Sequence, residues 1–141
     1  MTDLRLVRRK IAELEGCVKS LDEMSAYSLG ELEKDVQKAW AAERGLQLAI
    51  QMVIDIGMHI LSAEGQGDIE DYAGAIQRLG ELGVIPKKFA AKIKGMAGFR
   101  NVLVHEYADV DLKRVHGALR RELDDFRRFA RYVTKYTAGR T

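Results

Sequence analysis

Cysteine is almost missing from the chain: Cys17 stands alone, so neither an internal disulfide framework nor a cysteine-based zinc site is available, and a reducing compartment fits best. Proline is equally scarce, one in 141 residues, which argues against a loop-rich or all-β architecture and for helices. No apolar run approaches the roughly 20 residues that span a bilayer. The opening Met1-Thr2-Asp3-Leu4-Arg5 also lacks the apolar centre of a signal peptide. These absences predict a cytoplasmic protein with no membrane partner. His59, His105 and His116, separated by 46 and 11 positions, form no local ligand motif, so no metal is expected. Gly80 and Gly83 are not followed by the lysine and hydroxyl residue of a phosphate-binding loop, and no cofactor is expected. A serine or cysteine nucleophile with a partner in view is also lacking.

What remains is an ordinary globular composition, 47% hydrophobic and 31% charged, at the usual length of one domain, here residues 1–141. Net charge is only +2 but uneven: residues 111–141 hold nine Lys/Arg against four Asp/Glu, or +5, leaving −3 for the rest. That basic end is compatible either with a solvated helix face or with a polyanionic partner such as nucleic acid.

Apolar residues at 4, 7, 11, 14, 18 and 21 alternate steps of three and four and predict an amphipathic first helix. Its seam could pack within the monomer or against a second subunit. Ser28, with Glu31 three residues on, predicts a capping box. A single long helix is expected from about Leu29 to Leu61, through Leu32, Val36, Trp40, Leu46, Ile50, Val53 and Ile54. Within it Asp55 and His59 share a face, as a satisfied pair or as support from a neighbouring helix for the motif described below. Glu43 and Arg44 are expected as surface charges. Gly65 and Gly67 mark a loop, a helix follows over about Ile69 to Leu82, and Gly83 with Pro86 ends it and starts the next. Phe89, Ile93, Met96 and Phe99 continue as one helix into that motif, and a last helix follows Asp111 with Leu112, Val115, Leu119, Leu123, Phe126, Ala130 and Val133 inside. The fold class expected is all-α, an up-and-down bundle of four to five helices.

The stretch Arg100-Asn101-Val102-Leu103-Val104-His105-Glu106-Tyr107 places a cation, an amide, an imidazole and a phenol among aliphatics that should anchor it in the bundle. On a straight helix Asn101 and His105 point roughly 100° and 140° ahead of Arg100, and Tyr107 roughly 20° behind it. Joint action of Arg100 and His105 therefore requires the helix to end near His105 or a second subunit to complete the site. The residue types suit cleavage of RNA by its own 2′-hydroxyl: histidine serves as base or acid near neutral pH, arginine offers a fork to phosphate oxygens, and Asn101 supports them. A purely structural role at a helix end remains the alternative.

The same segment matches the R-x4-H-x-Y signature and resembles the HEPN superfamily, specifically the HepT-like toxins of HepT/MntA-type toxin–antitoxin pairs. Ala41 to Gln51, Asp55 to Ile60, Met96 to Phe99 and the Asp109-Val110-Asp111 start of the last helix also look like that family, so the similarity spans roughly residues 5–135. The resemblance implies a metal-independent RNA endonuclease toxin of a type VII pair, with Arg100 and His105 catalytic and Asn101 supporting. The role of Asp55 stays open. It implies that Tyr107 accepts AMP from a minimal nucleotidyltransferase antitoxin, and that the protein is a homodimer with the cleft at its interface. A non-catalytic helical module that docks the nucleotidyltransferase is the alternative function.

Overall fold

The computed structural model describes residues 3–105 and 110–139. They fold into α1 (Leu4–Met24), α2 (Leu29–Lys34), α3 (Val36–Ala63), α4 (Tyr72–Glu81), α5 (Lys87–Ile93), α6 (Met96–His105), α7 (Leu112–Arg121) and α8 (Leu123–Ala138). Three of the helices expected to be continuous are broken once each, so the eight segments form the five arms of the sequence reading.

Each break has a local cause. Asp35 takes an extended conformation (φ −120°, ψ 100°) and its carboxylate accepts the Gln37 and Lys38 backbone N–H groups, so it ends α2 and caps α3. Lys94 and Gly95 form the turn between α5 and α6. Glu122 (φ −114°, ψ −5°) forms a one-residue turn between α7 and α8, and Arg114 holds its carboxylate in a two-pronged pair. The fourth helix begins at Tyr72 rather than near Ile69, because Asp71 caps it through the Gly74 N–H. The capping box of Ser28 and Glu31 forms as expected, satisfying two backbone N–H groups at the start of α2. Gly83 adopts φ +78° after α4, a conformation glycine reaches without strain, and Pro86 opens α5.

The five arms close around one apolar cluster to which every helix contributes, among them Leu14, Leu32, Ile50, Ile76, Phe89 and Phe126. Burying each large aliphatic or aromatic side chain stabilises the fold by roughly 1.5–3 kcal/mol. The central α3 packs against α1, α4, α6 and α7. It is long and apolar enough to cross a membrane by length and composition alone. That apolarity is matched by the buried side it presents to the core, including Leu46, Val53, Ile56 and Ile60. Backbones approach closely where α4 meets α5: a Cβ on Gly80 would stand 2.8 Å from the Ala90 Cβ.

Val36 and Trp40, both expected within the apolar pattern of the long helix, are 54% and 64% exposed. Periodicity alone does not say which apolar positions face the core. On α6, Leu103 is buried as expected, but Val104 is only partly covered and Val102 is 39% exposed, so one of the three aliphatics carries the anchoring.

Candidate active site

α6 carries Arg100, Asn101 and His105. Its core side is Met96, Phe99 and Leu103. At about 100° per residue Arg100 flanks that side and His105 points away from it. Arg100 is accordingly half-buried, whereas Asn101 and His105 are exposed. His105 is the last residue described on α6, and it makes no hydrogen bond or ion pair among the described residues. Tyr107, expected to be the AMP acceptor, lies outside the described residues, as does Glu106.

Arg100 is held from three directions. Its Nε donates to Gln51 Oε1 on α3 at 2.9 Å, its Nη1 donates to Asn101 Oδ1 at 3.2 Å, and its guanidinium carbon lies 5.3 Å from the centre of the Tyr72 ring on α4. A guanidinium has five N–H donors. Two are engaged here, which leaves three among the described residues for an anion.

Gln51 in turn donates from Nε2 to Asp55 Oδ1 at 2.8 Å. Its amide is thereby oriented, oxygen towards the cation and nitrogen towards the carboxylate, in the chain Arg100–Gln51–Asp55. Asp55 thus acts on Arg100 at one remove. It does not pair with His59, as one sequence reading had it: His59 Nε2 accepts the Asp3 backbone N–H at 3.2 Å, across 56 positions. Gln51 and Tyr72 were not singled out from the sequence. The spacing of Gln51 four residues before Asp55 was the available signal for one; nothing local marked the other.

Trp40, Arg44, Leu48, Gln51 and Asp55 fall within about 80° of one another on α3, counting 100° per residue, and form its outer face. Trp40 and Leu48 on that face, with Val102 on α6, are among the exposed large hydrophobics. Leu48, three residues before Gln51 on that face, thus leaves uncovered apolar surface next to the polar cluster. Glu43, expected as a plain surface charge, is partly buried, and burial pushes its carboxyl up. Arg44 is exposed as expected.

A family model described as HepT-like ribonuclease matches residues 14–133. The tRNA nuclease HepT of Aphanizomenon flos-aquae is 32% identical over 126 residues, covering 87% of this chain and 86% of that protein. The mRNA nuclease HepT of Shewanella oneidensis is 26% identical over 125 residues, covering 88% and 92%. In fold the chain is similar to a solved complex of a tri-AMPylated Shewanella oneidensis HEPN toxin with its MNT antitoxin, with a TM-score of 0.83 at 24% identity, covering 96% of this chain and 99% of that one.

Proposed function

The chain belongs to the HepT-like ribonuclease family, and from that premise we propose that it is a cytoplasmic endoribonuclease, the toxin of a type VII toxin–antitoxin pair, acting without a metal ion. The curated relatives named as nucleases of tRNA and of mRNA support RNA as the substrate class. The observation that carries the reading is the fixed guanidinium of Arg100, with three N–H donors left for phosphate oxygens.

In the proposed reaction an imidazole at position 105 takes the proton of the ribose 2′-hydroxyl, and that oxygen attacks the adjacent phosphorus. Arg100 stabilises the charge that builds on the non-bridging oxygens. A protonated imidazole then gives its proton to the departing 5′-oxygen, leaving a 2′,3′-cyclic phosphate and a 5′-hydroxyl. Base and acid are two imidazoles, which one copy does not supply at this position; a homodimer supplies both. The exposed Trp40 and Leu48 on the α3 face that carries Gln51 and Asp55 support such an interface. Asn101 and Gln51 position Arg100 directly, and Asp55 positions it through Gln51.

Control falls to Tyr107. The AMPylated toxin in the structurally similar complex supports a minimal nucleotidyltransferase as antitoxin and AMP transfer as the means of inhibition. A phosphodiester at Tyr107 would occupy the anion site that Arg100 prepares. The test is co-expression with and without a neighbouring nucleotidyltransferase, reading the mass of the Tyr107 peptide together with RNA integrity. An added AMP with intact RNA is the expected result, and a neutralised complex with unmodified Tyr107 would refute the control mechanism. If the protein alone degrades no RNA yet still binds the nucleotidyltransferase, it is a docking module and not an enzyme.

A further inference from the structure

The basic end of the chain is not absorbed by the catalytic cluster. α7 reaches α6 through Arg114, whose guanidinium lies 4.0 Å from the centre of the ring of Phe99, a core-side neighbour of Arg100 in the sequence. Its buried side is Val115, Ala118 and Leu119, and at about 100° per residue Lys113, Arg120 and Arg121 lie on the opposite side. All three are exposed, and among the described residues none of them forms an ion pair. Gly117 between them is buried, and a Cβ there would stand 2.8 Å from Arg121 Nη2, so the Arg121 guanidinium folds back over the glycine.

The row continues into a polar recess of about 350 Å³ where α7 meets α8 and the end of α1, lined by Arg120, Arg121, Arg127, Asp22 and Asp124. Asp22 is already neutralised by Arg127 at 3.1 Å, which leaves Asp124 as the opposing charge. Arg131, exposed one turn beyond Arg127, extends the positive row along α8. From Lys113 to Arg121 the axis rises about 12 Å at 1.5 Å per residue, a span over which successive backbone phosphates of one extended strand can be met.

We propose that the outer face of α7, continued by the recess at its junction with α8, is a track for the RNA phosphate backbone leading away from the Arg100–His105 site, with Lys113, Arg120 and Arg121 as its phosphate contacts. The inference rests on the RNA-cleaving reading for its choice of polyanion. Point charges on a helix face, without an aromatic platform, bind backbone and not base, so the track adds affinity without sequence preference.

The test measures binding of a labelled, unstructured single-stranded RNA to the full chain carrying His105→Ala, which prevents cleavage, as a function of salt. It is compared with the same chain carrying Lys113→Gln, Arg120→Gln and Arg121→Gln, and with a control lacking three exposed cations elsewhere (Arg5→Gln, Arg9→Gln, Lys34→Gln). Loss of three phosphate contacts lowers the slope of log affinity against log salt by about 2, or about a hundredfold in affinity at 0.1 M salt if the curves meet at 1 M. That result, with an unchanged slope in the control and unchanged helical circular dichroism in both, is expected. An unchanged slope in the α7 variant, or an equal fall in the control, overturns the track even if the native protein cleaves RNA. An α7 variant that keeps its RNA affinity but loses the nucleotidyltransferase also overturns it, and assigns the face to a protein partner. Conversely, native protein that binds RNA through this face and never cleaves it supports the track and refutes the ribonuclease reading.

Discussion

Replacing Gln51 with leucine removes the link between α3 and Arg100 while keeping the volume of the side chain. The Arg100 Nε–H loses its acceptor at 2.9 Å and Asp55 loses its donor at 2.8 Å. A hydrogen bond to a charged group contributes about 1.5–3 kcal/mol. Gln51 is half-buried and Asp55 exposed, so solvent replaces part of the loss and the lower end, about 1.5 kcal/mol, applies. Arg100 keeps Asn101 and the Tyr72 ring but is no longer fixed in orientation. If its fork is aimed at the phosphorane, that loss appears in the transition state as a fall of roughly tenfold in kcat/KM, carried mainly by kcat. Arg100→Ala, which deletes the donors themselves, should cost 10²–10³-fold, about what removing a transition-state donor costs elsewhere. The assay is initial-rate cleavage of a labelled RNA over a range of concentrations, with thermal melting to confirm folding. Gln51→Glu combined with Asp55→Asn restores both an acceptor for Arg100 and a partner for it, and should recover most of the rate. Wild-type kinetics for Gln51→Leu alongside an inactive Arg100→Ala would refute the positioning role of Gln51 and Asp55.

Gly80→Ala should lower the melting temperature by roughly 5 °C, since the new methyl meets Ala90 at 2.8 Å and the Lys87 Cα at 3.4 Å and overpacking costs about 1–3 kcal/mol; an unchanged melting temperature would show that α4 and α5 part freely. Burial raises the Glu43 carboxyl, so its contribution to stability is present at acid pH, below the unfolded value, and lost as pH rises through the folded one. Glu43→Gln should therefore melt higher than the native protein at pH 7, with the gap closing in acid, and a gap independent of pH would contradict this. Burial also raises the Cys17 thiol, whose Sγ donates to the Gly45 carbonyl at 3.4 Å; alkylation by iodoacetamide should be slow until the protein unfolds, and labelling of the native protein as fast as free thiol would show otherwise.

Local signals with a stereochemical cause were legible in the sequence. Ser28 with Glu31, Gly83 and Pro86 each act on their own neighbours, and each took its expected place. The breaks at Asp35, Gly95 and Glu122 were not legible, because the apolar pattern resumes on the same side of the chain after each and conceals it. Asp35 did have a mark, a short acceptor side chain two and three residues before the N–H groups it caps. The exposure of Trp40 and Val102 was hidden for a different reason: periodicity identifies apolar positions but not what covers them. Arg100, Asn101 and Asp55 stood out in the sequence by residue type and spacing, whereas Gln51, which the structure places between Arg100 and Asp55, did not. Gln51 does not titrate, and it meets Arg100 across 49 positions of sequence, a pairing that only the packing of α3 against α6 creates.

The central claim is that Arg100 and His105 direct the RNA's own 2′-hydroxyl at phosphorus, and its most direct test is the chemistry of the cut ends. Purified protein, free of any nucleotidyltransferase and held in excess chelator, should cleave RNA to 2′,3′-cyclic phosphate and 5′-hydroxyl termini. It should fail on a strand carrying a single 2′-deoxyribose at the scissile position; His105→Ala should abolish the products and Arg100→Ala should lower their rate of formation 10²–10³-fold. Cleavage that requires added divalent metal, leaves 5′-phosphate ends or accepts the 2′-deoxy strand would contradict the account.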